Sequence, residues 1–174
     1  MMRLLSIQPI YSPIFHFCMS KSTDLDLNSA KDTISNALIR EALSVAASRG
    51  LDIVNIANQA GISVELLSST KARVPVTQCA QLWIELAEQM NDEFLGMDRH
   101  PMRRGSYSLL AKLAFSAETL EQAIQEILKF LSLVLDDIQG ELVQQDSKAY
   151  LVLHDREHPK RMFTYSTYLM LVHS

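Results

Sequence analysis

Apolar residues after position 30 recur at three- and four-residue steps. Ile34, Leu38, Ala42, Val45 and Ala46 form one stripe, widened by Ile39 and Leu43, and this spacing predicts an amphipathic helix. Ser29 is placed to cap its start, and Gly50 stands where a left-handed cap would end it. Asp52 can cap a short helix running to Ala60 and stopped by Gly61, and Ser63 opens another brief turn carrying Val64, Leu66 and Leu67. A longer helix follows, with Pro75 in its first turn and the stripe Cys79, Leu82, Trp83, Leu86, Ala87 and Met90. Beyond a loop from Gly96 to Gly105, Tyr107, Leu110, Leu113 and Ala114 predict a shorter helix. Ser116 is then expected to cap the strongest helix of the chain, with Glu118 complementing its dipole. The face of that helix is Leu120, Ala123, Ile124, Ile127, Leu128, Leu131, Val134 and Leu135.

The period then changes. Residues Ile138 to Gln145 and Lys148 to Asp155 read as two strands around a polar turn at Asp146-Ser147, with Tyr150, Val152 and His154 on one side and Leu151 and Leu153 on the other. Pro159 precedes a last helical segment ending in the apolar run Tyr168 to Val172. The expected fold class is α+β: a helix-dominated domain with a small antiparallel β-hairpin or sheet, incomplete at its C-terminus. A two-stranded hairpin is marginal alone, and a chain end inside an apolar helix points to a fragment or to a subunit contact. No internal repeat is visible.

Composition narrows the classes. With 174 residues, 48% hydrophobic and 21% charged, the chain can bury one sizeable core, and five Gly and five Pro exclude collagen-like and low-complexity sequence. Sixteen Lys+Arg against 20 Asp+Glu give a net charge of −4, without the basic excess of a dedicated nucleic-acid domain. Cys18 and Cys79 are too few for a disulfide framework or a four-ligand zinc site, and fit a reducing cytoplasm. In the first twenty residues, Gln8, Pro9, Pro13 and His16 interrupt what would otherwise look like a secretory signal, and no apolar run is long enough to span a membrane. Residues 1–28 are therefore expected to be a poorly ordered leader, with the start at Met1 or Met19, and residues 29–174 the folded unit.

Residues 53–69 imitate a helix-turn-helix: Ala57 supplies the small residue, Gly61 the turn, and Ile62 and Leu67 the core positions. The second helix would present Ser63, Glu65, Ser68 and Ser69 to DNA, with Lys71 and Arg73 only beyond its end. Glu65 would face phosphate. Direct DNA binding through this segment is the weaker of two readings.

The stronger reading comes from an ordered set of features. Gly61 precedes a leucine-bearing turn; Arg73 and Pro75 precede the helix with Leu82 and Trp83; Phe94-Leu95-Gly96 precedes a loop ending at Gly105. Ser116, Thr119, Leu120 and Ala123 then start a helix that carries Phe130 and Leu131. This order resembles the N-terminal, arabinose-binding-like domain of AraC-family transcriptional regulators, from about Ala37 to the C-terminus. Ser108 and Lys112 depart from the family pattern. The resemblance implies an effector-binding, dimerising regulatory domain, cut before the C-terminal helix-turn-helix region. It further implies a small-molecule effector of unknown identity, a homodimer, contact with DNA only through that missing region, no membrane and no cofactor. A non-sensing interaction or dimerisation module is a further alternative.

An effector pocket should be apolar with a few convergent polar groups. Arg103, Arg104 and Tyr107 are the candidate ligand-binding cluster, a guanidinium fork for a carboxylate beside a phenol, and Trp83 is a candidate stacking face. His100, His154 and His158 lack the spacing and companions of a metal site, so no metal is expected. Without a nucleophile motif or a phosphate-binding glycine loop, no enzyme activity is expected either.

Overall fold

Strand β1 (Thr33–Ser35) lies antiparallel to β2 (Arg73–Pro75), with Ile34 opposite Val74, in the computed structural model, which describes residues 33–69, 71–145, 148–156 and 162–173. The expected leader (residues 1–28), Ser29, the Asp146-Ser147 turn and Pro159 lie outside the described residues. The first helix, α1 (Asn36–Ser48), starts later than its periodicity predicted. Ser35 is its cap, accepting from the Ala37 N–H, because residues 33–35 are taken up by pairing with a segment forty residues away. Gly50 takes the expected left-handed conformation, Asp52 caps α2 (Ile53–Gln59), Gly61 follows that helix in a left-handed conformation too, and Ser63 caps α3 (Val64–Ser68). The Asn36 amide donates to the carbonyls of Leu66, Leu67 and Ser69, adding to the backbone bonds that Leu66 and Ser69 already accept and tying the end of α3 to α1. Pro75 ends β2 and stands just before α4 (Val76–Met90) rather than inside its first turn, and Asn91 closes that helix in a left-handed conformation.

The next helices are α5 (Ser106–Phe115) and α6 (Leu120–Val134). Ser116 does not cap α6. It ends α5, and its hydroxyl turns back to the Leu113 carbonyl at 2.7 Å. Thr119 caps α6 instead, accepting from the Gln122 N–H, while the Gln122 side chain accepts from the Glu118 N–H. With α6 beginning at Leu120, that residue is 65% exposed, and the buried face is carried by Ile127, Leu128 and Leu131. Strands β3 (Ile138–Gln145) and β4 (Lys148–Asp155) have the expected bounds and pair in register from Ile138–Asp155 to Gln145–Lys148. Helix α7 (Met162–His173) completes the α+β architecture.

The core runs between α1, α4, the 92–102 loop, α6 and α7. Helix α7 joins its parts. Phe163 meets Trp83 edge-on at 5.1 Å, and Tyr168 meets Phe94 edge-on at 6.5 Å. Glu41 of α1 accepts from the Phe163 N–H at 3.0 Å, holding the start of α7. The Tyr168 phenol is fully buried beneath Gly140 with no hydrogen-bond partner, and burial pushes its ionisation up to about 12; the Gly140 backbone opposes this only weakly. Because the unfolded phenol ionises near 10 while the native one stays protonated, stability should fall as pH rises from 10 to 12, by roughly 1.4 kcal/mol per unit. Tyr168→Phe should abolish that alkaline loss. At neutral pH it should be neutral or stabilising by up to about 1 kcal/mol, since an unpaired buried hydroxyl contributes only its desolvation cost. Urea unfolding at pH 7 and at pH 11 measures both effects.

Candidate functional site

Helix α7 carries apolar residues on every side, interrupted by Thr164, Ser166, Thr167 and His173. Phe163, Thr164, Tyr168 and Leu171 turn into the core. Its other face, with Ser166, Leu169, Met170 and His173, borders a cavity of about 460 Å³ that Phe163 and Thr167 also line. The opposite walls are Ile34 of β1 with Leu38 of α1, and Cys79 with Trp83 of α4. These residues come from both ends and the middle of the described chain, and four elements converge on the space. Among the described residues no Lys, Arg, Asp or Glu lines it, and the one imidazole in the wall, His173, is exposed. The hydroxyls of Ser166 and Thr167 donate to the Met162 and Phe163 carbonyls of their own helix, both at 2.9 Å, so towards the cavity they can only accept.

Of the residues singled out in the sequence, Trp83 is in this wall. Arg103, Arg104 and Tyr107 are not; they sit at the corner before α5. Arg103 is exposed, and Arg104 pairs with Glu88 of α4 at 2.9 Å. Tyr107 packs half-buried against the core, and its N–H donates to Glu93 at 2.7 Å. Glu93 also accepts from the Gly105 N–H and so supplies the start of α5 with the cap that no local side chain gives.

That corner is organised by carboxylates the sequence reading passed over. Asp92 is fully buried and accepts from the backbone N–H groups of Phe94, Gly96 and Met102 at 2.8–2.9 Å, folding the Phe94-Leu95-Gly96 turn around itself. Burial pushes the Asp92 carboxyl above its ordinary value; the three N–H groups and the Arg49 charge oppose that shift without cancelling it. Asp98 accepts from the Asp136 and Asp137 N–H groups, linking the corner to the entry of β3, and Arg49 donates to the Gly96 and Asp98 carbonyls. Gly96 is at φ +75°, and a Cβ there would lie 2.9 Å from both Arg49 and Val45. An Asp two residues before a Phe-Leu-Gly turn is a readable signal for such a carboxylate-centred loop.

His100 and His154 are engaged in separate pairs, with Asp136 at 2.6 Å and with Glu141 at 3.0 Å respectively, and His158 lies outside the described residues. No group of three metal-ligating side chains occurs among the described residues. In the helix-turn-helix-like segment, Ile56, Ala57, Ala60 and Ile62 are buried in the core, and the second helix is only five residues long. Among the described residues no helix is long and apolar enough to cross a membrane.

A family model described as the arabinose-binding domain of AraC transcription regulators, N-terminal, matches residues 50–174. The chain belongs to this family. The match takes in the Phe-Leu-Gly turn, α4 to α7 and the hairpin; β1 and α1, with Ile34 and Leu38 of the cavity wall, precede it. No curated protein and no solved structure matches the chain. The AraC arabinose-binding family is one of regulatory ligand-binding domains and not an enzyme family, and no helix-turn-helix domain is matched within residues 1–174.

Proposed function

We propose that this chain is the effector-sensing portion of an AraC-type transcription regulator, and that the effector occupies the cavity between α1, α4 and α7. In this reading it acts on transcription through a DNA-binding region outside these 174 residues, works in the cytoplasm and assembles as a homodimer. The observation that carries the proposal is the cavity itself, whose volume of about 460 Å³ falls within the range of small-molecule sites. Trp83 touches the effector. Arg104 and Tyr107 serve the corner instead, through Glu88 and Glu93, and Arg103 stands in solvent beside them.

A ligand that binds only the folded state raises its stability, by about 2.7 kcal/mol at a hundred times its dissociation constant. A thermal-shift screen of the full chain against sugars, amino acids, carboxylic acids and neutral apolar molecules is expected to give a concentration-dependent rise with at least one class. A cooperatively folded sample that no class stabilises would remove the sensing role.

A further inference from the structure

The walls of the cavity also select among ligands. Resting on the sensing role proposed above, we infer that the effector is an uncharged, mainly apolar molecule with at most one or two hydrogen-bonding groups, and not a sugar or a carboxylate. A pentose carries four hydroxyls, and each one buried without a partner costs free energy. The polar side chains of the wall are few, and the two hydroxyls among them already use their protons inside α7. They can accept from one donor on the ligand, such as a neutral hydroxyl. Among the described residues the wall offers a carboxylate no Lys or Arg, only the exposed His173 imidazole, and an unpaired charge is costlier to bury than a neutral polar group. What the cavity does supply is the Trp83–Phe163 aromatic pair, a polarizable Met170 and the aliphatic Leu38. The family's name includes a sugar; the wall of this chain has the chemistry of a solvent-like alcohol or phenol site.

Trp83 is the single tryptophan of the chain, so its emission reports on this cavity directly. The test titrates the full chain at pH 8 with 1-octanol, octanoate and L-arabinose, following Trp83 emission and thermal midpoint together. Octanol and octanoate share an alkyl chain and differ in the charge of the head. Octanol is expected to give a saturable, single-site change in both signals, octanoate to bind at least tenfold more weakly, and arabinose to give no response at a hundred times the octanol concentration. Leu38→Phe, which fills the cavity, should weaken octanol at least tenfold. Leu169→Asp, at an exposed position of the wall, should do the same without perturbing the core. Equal or tighter binding of octanoate, or a saturable arabinose response at Trp83, overturns the ligand class and leaves the sensing role standing. A linear octanol response indifferent to both substitutions also overturns the class. If none of the three probes moves either signal, the ligand class falls, and the sensing role is decided by the wider thermal-shift screen described above.

Discussion

Asp92→Ala should lower the unfolding free energy by about 4 kcal/mol, because it strips the acceptor from three backbone N–H groups, each worth roughly 1–3 kcal/mol when left buried and unpaired. Two of those groups, on Phe94 and Met102, are in buried bonds, and the third, on Gly96, is partly buried. The loss extends beyond the loop, since Phe94 backs the Tyr168 ring and so supports α7 behind the cavity. Asp92→Asn keeps an acceptor but turns amide protons towards N–H donors, so it should recover only part of the deficit. It also separates charge from hydrogen bonding. With the native carboxyl titrating above the unfolded value of 3.8, the folded state holds the extra proton between those two values. Asp92 thus contributes a decline in stability as pH rises through that interval, and the asparagine variant should lack it. Urea midpoints of the three proteins across pH 4 to 7 measure both quantities.

Gly140→Val is expected to cost about 3 kcal/mol, at the upper end of what overpacking a tight interior does. A Cβ at Gly140 would lie 2.6 Å from the Tyr168 hydroxyl and 2.7 Å from a Leu128 methyl, with α6 on one side and α7 on the other. Neither helix can retreat without opening the core. Removing the hydroxyl relieves one of the two collisions, so Tyr168→Phe should be more favourable in the Gly140→Val background than in the native one. A coupling of about 1 kcal/mol in a double-mutant cycle of urea unfolding is expected. Strict additivity would mean that the hairpin adjusts by sliding away from α7.

Much of this architecture is legible in the sequence because its signals are local. The α4 stripe, the Asp52 and Ser63 caps, the left-handed Gly50 and both strands of the hairpin follow from residues within one element. The failures share a different cause. Residues 33–35 look like more of the α1 stripe, and only their partners at 73–75 make them a strand. Ser116 and Thr119 are both competent caps three residues apart. The choice between them is made by α5 running on to Phe115, which uses Ser116 as its own end. The corner before α5 reads as a loop with arginines, whereas its geometry is held by Asp92, Glu93 and Asp98, acceptors whose donors lie up to 39 residues away. Trp83 was visible as an aromatic on a helix face. The cavity was not, since its walls come from segments more than a hundred residues apart and no periodicity encodes their meeting.

The bond from Glu41 to the Phe163 N–H, spanning 122 residues, has a bearing on biosynthesis. As the chain emerges from the ribosome, α1 and α4 are complete long before α7, and at about 5–20 residues per second the intervening stretch of roughly seventy residues takes several seconds to make. Throughout that interval Leu38, Cys79 and Trp83 face water without their third wall. Nascent chains halted before residue 162 should therefore be the form most prone to capture by chaperones, and the emergence of α7 the moment at which a binding space first exists.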